Sequence, residues 1–145
     1  DIRSVDFIVA QNAKFECQWL QRCGLDLHEL LVYDTMLAAW CLDGNQRKER
    51  SLEALARRYH IPGKLDLVSK LIQAGVGTRD IHPRWLRDYC HQDVWATYQI
   101  FLAQQEELSA RHVWHLVFVR NLTCVVLASI EFAGLILDTT RVEEE

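Results

Sequence analysis

The chain has 145 residues, half of them hydrophobic and a quarter charged. This length and composition suffice for one domain with a hydrophobic core, and the chain is too short for two domains of ordinary size. The formal net charge of −4 excludes a broad basic face that grips duplex phosphates, so any contact with nucleic acid is expected to be local. Five scattered cysteines without a CxxC pair predict reduced thiols and exclude a disulfide framework or a cysteine zinc site.

The N-terminal segment predicts a strand followed by a helix. An apolar run at 7–10 is typical of one buried strand. In the helix that follows, Asn12 is placed to act as the cap, Glu16 lies in the first turn, and Gly24 ends the helix. Asn12 and Glu16 therefore have a purely structural explanation beside any functional one.

A second strand–helix pair follows directly. The apolar run at 30–33 predicts another short strand, and Asp34 closes it as the cap of the next helix. That helix, at 35–42, is apolar on most sides and is expected to be buried. After it, 43–45 is interpreted as a turn and 46–50 as a charged loop.

Most of the remaining chain predicts helices. One begins at the Ser51 cap and ends at 62–63, and a shorter helical segment spans 65–74. The order strand, helix, strand and then several helices predicts the α/β class. Two short strands are too few for a stable sheet, so we expect the opening strands of the fold to be missing from this chain.

The segment 84–105 predicts the helix around which the rest is organised. Tyr89 and Asp93 are four residues apart, so their side chains project from one face. A phenol one turn before a carboxylate can hold a metal and orient a water, whereas the alternative is an exposed pair on a solvated helix. Apolar residues recur one turn apart and predict a stripe on the adjacent face: Leu86, Cys90, Val94, Tyr98 and Leu102.

A second long helix is predicted at 112–133, apolar nearly all round and about the length of a membrane span. Placing the charged side chains of Arg120, in its middle, and Glu131, near its end, in the hydrocarbon core of a membrane would cost much free energy. We therefore expect no membrane and a helix clamped between two layers of protein. Beyond it, 135–137 is interpreted as the start of a strand and 142–145 as a solvated acidic tail.

Five segments carry a family resemblance. In chain order they are QNAKFE at 11–16, YDTMLAAWCLD at 33–43, SLEALARRY at 51–59, YCHQD at 89–93 and IEFAGLILD at 130–138. Together they closely resemble the proofreading 3′-5′ exonuclease segment of family A DNA polymerases, the type of bacterial and phage DNA polymerase I. The resemblance is specific to this family because all five segments occur in the family's order and at suitable distances along the chain.

The resemblance implies a ribonuclease H-like, DEDDy-type α/β fold, here helix-rich and truncated at its N-terminal strands. It implies a partial exonuclease domain at 1–110 and a long helix with a connection toward a polymerase domain at 111–145. The chain begins without an initiator methionine or a visible signal peptide. We therefore expect a piece of a longer cytoplasmic protein from a bacterial or phage-infected cell.

The active site of that family uses four carboxylates and a tyrosine with two Mg²⁺ or Mn²⁺ ions. Its first motif, Asp-x-Glu on the first strand, has no counterpart before Gln11. The second motif is occupied by Glu16, where the family has aspartate, and the third by Asp93. Tyr89 matches the family tyrosine. The resemblance thus implies Tyr89, Asp93 and Glu16 as catalytic residues, with Asp93 and Glu16 as metal ligands.

The implied reaction is hydrolysis of the terminal phosphodiester of single-stranded DNA from its 3′ end. Asn12 and Phe15 are candidates to contact the terminal nucleotide, and Lys14 is a candidate for a phosphate, with a solvated lysine as the alternative. A polymerase domain is expected in the same or a partner chain. With half of the metal ligands absent, we expect this chain alone not to cleave DNA. The alternatives are a degenerate or split exonuclease-like module that serves as a scaffold, and a ribonuclease D-like exoribonuclease.

Overall fold

A two-stranded parallel sheet lies at the centre of the computed structural model, which describes residues 4–27, 30–44, 46–62 and 66–135. Strand β1 (Ile8–Ala10) pairs in parallel with β2 (Val32–Asp34), and helix α1 (Ala13–Arg22) joins them. The other helices are α2 (Thr35–Asp43), α3 (Leu52–Arg58), α4 (Asp66–Gln73), α5 (Pro83–Arg111) and α6 (Trp114–Ala133), with a 3₁₀ turn at Thr78–Asp80. The predicted strand–helix–strand order and the α/β class are confirmed.

The predicted boundaries differ in places from the structure. The second strand begins two residues later than the apolar run at 30–33, and α5 continues past 105 to Arg111. The helix end predicted at Gly24 is confirmed, because α1 ends at Arg22, Cys23 is its C-cap, and Gly24 follows with a φ of 80°. The strand expected at 135–137 and the tail at 142–145 lie outside the described residues except for Leu135.

Asp34 caps two helices at once. Its carboxylate accepts the N–H of Met36 at 2.8 Å at the start of α2, as predicted. It also accepts the N–H groups of Asn12 at 3.0 Å and Ala13 at 2.9 Å, at the start of α1. The expected cap by the Asn12 side chain was wrong, since that side chain makes no cap bond. The parallel strands end side by side, so the carboxylate at the end of β2 reaches both helix starts.

The buried face of α5 is not the predicted apolar stripe. Most of that stripe is exposed, and the buried side chains are Ala96, Thr97, Ile100, Phe101, Gln104 and Leu108. Gln104 is buried because its amide donates to the carbonyl of Thr35 at 2.9 Å and its oxygen accepts from the Tyr33 hydroxyl at 3.1 Å. These bonds hold α5 against β2 and α2 in one rotation, which turns Asp93 toward the edge of β1.

Helix α6 packs by one face only. Val117, Asn121, Cys124 and Ala128, spaced one turn apart, are its buried residues, and the helix packs against α1, α2 and β2. The opposite face is exposed and apolar. The expected clamp between two layers is therefore wrong for the part of the chain that the structure describes. By length and composition α6 is apolar enough to span a membrane, with a mean hydropathy of 1.7. The absence of a membrane partner stays a prediction.

The exposed face of α6 is expected to promote association of this chain with itself. Val119 and Val126, each more than half exposed, lie seven residues apart on that face. Replacing both by lysine should leave the melting temperature nearly unchanged and reduce light scattering by concentrated protein, because neither side chain packs in the core.

Val117→Lys is the matched control, since Val117 lies two residues from Val119 and is buried. A lysine there buries a charge without a partner and should unfold the domain. If the double variant melts as early as Val117→Lys, the face is covered in solution and the prediction is wrong.

Candidate functional site

A cleft of about 760 Å³ lies along the edge of β1 that faces away from β2. We call it the β1 cleft. Its lining comes from β1, α1, α3 and α5 and comprises Ile8, Val9, Ala10, Gln11, Glu16, Trp19, Leu20, Leu52, Asp93, Val94, Thr97 and Tyr98. Val94 and Tyr98 belong to the predicted stripe, and they are exposed because no described segment fills this cleft.

On the side that faces the cleft, β1 is an edge strand among the described residues. Within the described residues β1 pairs with β2 alone, and the N–H of Ile8 donates to the carbonyl of Leu31 at 2.9 Å. Hydrogen bonding alternates along a strand, so the N–H and C=O of Val9 point toward the cleft. Such an edge is a template for a further strand.

Both predicted carboxylates line this cleft. Glu16 comes from the first turn of α1 and Asp93 from α5, and both are part of its lining. Burial raises the pKa of Glu16, because the partly enclosed carboxylate loses hydration. The structure therefore places along one cleft two acids that are 77 positions apart in the sequence (93 minus 16).

The predicted tyrosine lies beside the cleft and not in its lining. Tyr89 is half-buried, one turn before Asp93 on α5. The spacing inferred from the sequence is therefore present, with both residues in one helix. Its catalytic role stays a prediction.

The three candidate DNA contacts lie at the N-terminal end of α1, Asn12 as its N-cap and the other two in its first turn, outside the lining of the β1 cleft. Asn12 and Phe15 are exposed. The amine of Lys14 is 2.7 Å from the carboxylate of Glu131 on α6, so it faces that helix and not the cleft. Their roles in DNA binding stay predictions, and Lys14 would have to leave Glu131 to meet a phosphate.

Sequence reasoning missed several residues of the cleft. Gln11 accepts a hydrogen bond from the Thr35 hydroxyl and donates to the carbonyl of Arg50 at 2.8 Å, so it joins the end of β1 to α2 and to the 46–50 loop. Trp19 was missed although it lies three residues after Glu16, a spacing that places both on one helix face.

The carboxylates of the cleft match a divalent metal in chemistry but not in number. Glu16 and Asp93 offer hard carboxylate oxygens, the ligands that Mg²⁺ and Mn²⁺ prefer. Among the described residues there is no group of three or more His, Cys, Asp or Glu side chains that could hold a metal ion. The two acids fit as part of a coordination shell, and further ligands must come from outside the described residues or from water.

Comparison with known proteins identifies the family. A family model of the DNA polymerase A type, described as a 3′-5′ exonuclease, matches residues 6–109. No curated protein and no solved structure shows significant similarity to the chain. The matched region includes β1, β2, Glu16, Tyr89 and Asp93, and it implies a ribonuclease H-like fold. The chain therefore belongs to the 3′-5′ exonuclease family of the family A DNA polymerases.

Proposed function

We propose that this chain forms the part of a proofreading exonuclease domain that carries its second and third acid motifs. Its reaction is the Mg²⁺-dependent hydrolysis of the 3′-terminal phosphodiester of single-stranded DNA. The observation that carries the proposal is that Glu16 and Asp93, from α1 and α5, line one cleft beside an edge of β1 that no strand of the described residues pairs with. The polymerase partner and the cytoplasmic location belong to the same proposal.

The missing acids come, in this proposal, from a strand that pairs with the cleft edge of β1. Two residues separated by one position project from the same face of a strand. An Asp-x-Glu strand at this edge would therefore present both carboxylates together, next to Glu16 and Asp93. The strand can belong to the same polypeptide or to a partner. In both cases the truncated DEDDy-type site becomes complete.

The residues of this chain position the reacting groups. Asp93 and Glu16 would hold the metal ions as part of their coordination shell, and Tyr89 would orient the attacking water by a hydrogen bond. When bound, two Mg²⁺ ions supply an activated water and offset the charge on the leaving 3′ oxygen. The water oxygen bonds to phosphorus as the bond to that 3′ oxygen breaks. The products are a nucleoside 5′-monophosphate and a shortened strand with a 3′ hydroxyl.

Metal binding by the chain itself tests this proposal. Added Mn²⁺ should broaden the NMR signals of residues around the β1 cleft, such as Val9 and Thr97, because a paramagnetic ion bound by Glu16 and Asp93 lies next to them. Glu16→Gln and Asp93→Asn should each remove this broadening, since two side-chain ligands are too few to tolerate the loss of one.

Asp88→Asn is the control for this experiment. Asp88 is on the same helix as Asp93, and its carboxylate is 3.8 Å from Arg87 and does not line the cleft. It should leave the broadening unchanged. Absence of broadening around the cleft at millimolar Mn²⁺, both in the chain alone and in a form that contains the completing strand, would instead favour a degenerate, non-catalytic module, an alternative that the glutamate at position 16 supports. Broadening only in the form with the completing strand would favour a site completed by another segment or chain.

A further inference from the structure

A second pocket lies beside β2, at the opposite edge of the sheet from the β1 cleft. It has a volume of about 290 Å³ and is formed mainly by β2 with the residues before it, by α5 and by α6. We call it the β2 pocket. It shares no lining residue with the β1 cleft, so a strand that pairs with the cleft edge of β1 leaves this pocket open.

The aromatic walls of the β2 pocket are held in place by their own contacts. The buried ring of Tyr33 lies 4.8 Å from the ring of Phe101 and 6.0 Å from that of Trp114, measured between centroids. The Tyr33 hydroxyl donates to Gln104 at 3.1 Å. The indole N–H of Trp114 donates to Ser109 at 3.0 Å. Walls that are already fixed lose little conformational entropy when a ligand binds against them, and a preformed apolar pocket is typical of a small-molecule site.

One side chain of the lining offers a hydrogen-bond donor to the pocket. Asn121 on α6 is 6% exposed, and its Oδ1 accepts the N–H of Asp34 at 3.3 Å. This bond fixes which end of the amide faces β2, and among the described residues the Nδ2 of Asn121 has no acceptor. Nδ2 is not fully enclosed by protein, and Asn121 lines the pocket, so the donor is open to it. A ligand that fills the pocket without an acceptor would leave Nδ2 unpaired, which costs free energy.

The lining of the β2 pocket decides the charge and the size of the ligand. Within the described residues the lining contains no aspartate, glutamate, lysine, arginine or histidine. A phosphate or a carboxylate would therefore lose hydration without gaining a counter-charge, which excludes nucleotides and fatty-acid anions. An apolar cavity of about 150 Å³ binds benzene, and the β2 pocket has about twice that volume. It thus accommodates a molecule of one or two rings.

We propose that the β2 pocket binds a small neutral molecule that is mainly apolar and carries one hydrogen-bond acceptor, such as an aromatic ketone. Its ring packs against Tyr33 and Trp114, and its acceptor takes the hydrogen bond of the Asn121 Nδ2. Burial of the apolar part supplies most of the affinity, and the amide selects for the acceptor. The site is separate from the proposed function, because it uses neither of the two acids nor the β1 cleft.

Titration of the 145-residue chain with acetophenone, followed by NMR, tests this site. The methyl signals of Leu122 and Val125, which line the pocket, should shift. The side-chain amide protons of Asn121 should move downfield, because Nδ2 gains an acceptor. Isopropylbenzene has the same shape, with a methyl group in place of the carbonyl oxygen. It should shift the methyl signals without the downfield shift of the Asn121 amide.

Leu122→Trp should weaken the binding of acetophenone by roughly tenfold or more, since the larger ring blocks the mouth of the pocket. Val126→Trp is the matched control, because Leu122 and Val126 are 48% and 57% exposed on the same helix and only Leu122 lines the pocket. The control should bind acetophenone as the unaltered chain does. Both variants should keep the melting temperature of the unaltered chain, since neither position is in the core.

The proposal is overturned if millimolar acetophenone shifts none of these signals, if Leu122→Trp binds it as tightly as Val126→Trp, or if both ligands move the Asn121 amide signals alike. Shifts centred on Val119 and Val126 would place the ligand on the exposed face of α6 and would overturn it too. No metal ion or nucleic acid takes part in the experiment, so its failure leaves the proposed function untouched, and failure of the Mn²⁺ experiment leaves this site untouched.

Discussion

Asp34→Ala is expected to destabilise the domain by about 3–5 kcal/mol, because the variant leaves three backbone N–H groups without their acceptor. The Asp34 side chain is 1% exposed, so water does not replace the lost bonds. Burial raises the pKa of Asp34, and the N–H donors of Met36, Ala13 and Asn12 oppose that shift by stabilising the carboxylate. Removing the carboxylate also removes its cost of burial, which keeps the expected loss below the sum of three separate bonds.

Ser51→Ala is the comparison for this prediction. Ser51 caps α3 through a single bond, from the N–H of Ala54 at 3.2 Å, and it is exposed. Its loss should cost about 1 kcal/mol. Urea unfolding followed by circular dichroism measures both variants. Equal destabilisation by the two substitutions would contradict the double-cap interpretation. Because a domain of ordinary stability has a free energy of unfolding of only about 5–15 kcal/mol, Asp34→Ala should be left with little stability.

Local sequence patterns predicted the helices and strands of this fold, because the residues that indicate each element lie within or next to it in the sequence. The strands were visible as short apolar runs, and the end of α1 as Gly24. The pairing of Glu16 with Asp93 came from the family resemblance and not from periodicity. No local pattern specifies that the first turn of α1 and the middle of α5 border one cleft.

The errors came from contacts between distant residues. Asn12 has a good capping side chain, but the carboxylate of Asp34, 22 positions later, reaches the N–H groups of Asn12 and Ala13 instead. On α5 the apolar stripe predicted the wrong buried face. Gln104 sets the rotation of the helix through bonds to Tyr33 and Thr35, and a glutamine is not recognised as a core residue from the sequence alone.

Asp43 illustrates the same limit. The sequence indicates a turn at this position, yet Asp43 ends α2 as a buried residue. Its carboxylate is 2.8 Å from Arg58, 3.0 Å from Arg50 and 3.3 Å from Lys48. Burial opposes ionisation, but the attraction of Arg58 and Lys48 outweighs it and holds the pKa of Asp43 below its ordinary value. Two cations of the charged loop at 46–50 thus have a structural role, because Lys48 and Arg50 form ion pairs with the buried Asp43.

Asp93→Asn is expected to lower exonuclease activity strongly in a form of the protein that contains the completing strand. A metal ion stabilises charge in the transition state by several kcal/mol. Since each 1.36 kcal/mol is a factor of ten in rate, loss of this ligand should lower Mg²⁺-dependent degradation of single-stranded DNA by roughly 10²- to 10³-fold. Asparagine has nearly the same size, and Asp93 is only partly buried, so the melting temperature should change little.

Three comparisons complete this last experiment, with release of nucleoside monophosphates from a 3′-labelled strand as the measurement. Asp88→Asn should keep full activity, because Asp88 lies on α5 with Arg84 and Arg87 and outside the β1 cleft. The 145-residue chain without the strand should release nothing, because Glu16 and Asp93 supply only half of the family's carboxylates. A single-stranded RNA substrate separates the deoxyribonuclease from the ribonuclease D-like alternative. Normal activity of Asp93→Asn would remove Asp93 from the site, and with it the reason to place the chemistry in the β1 cleft.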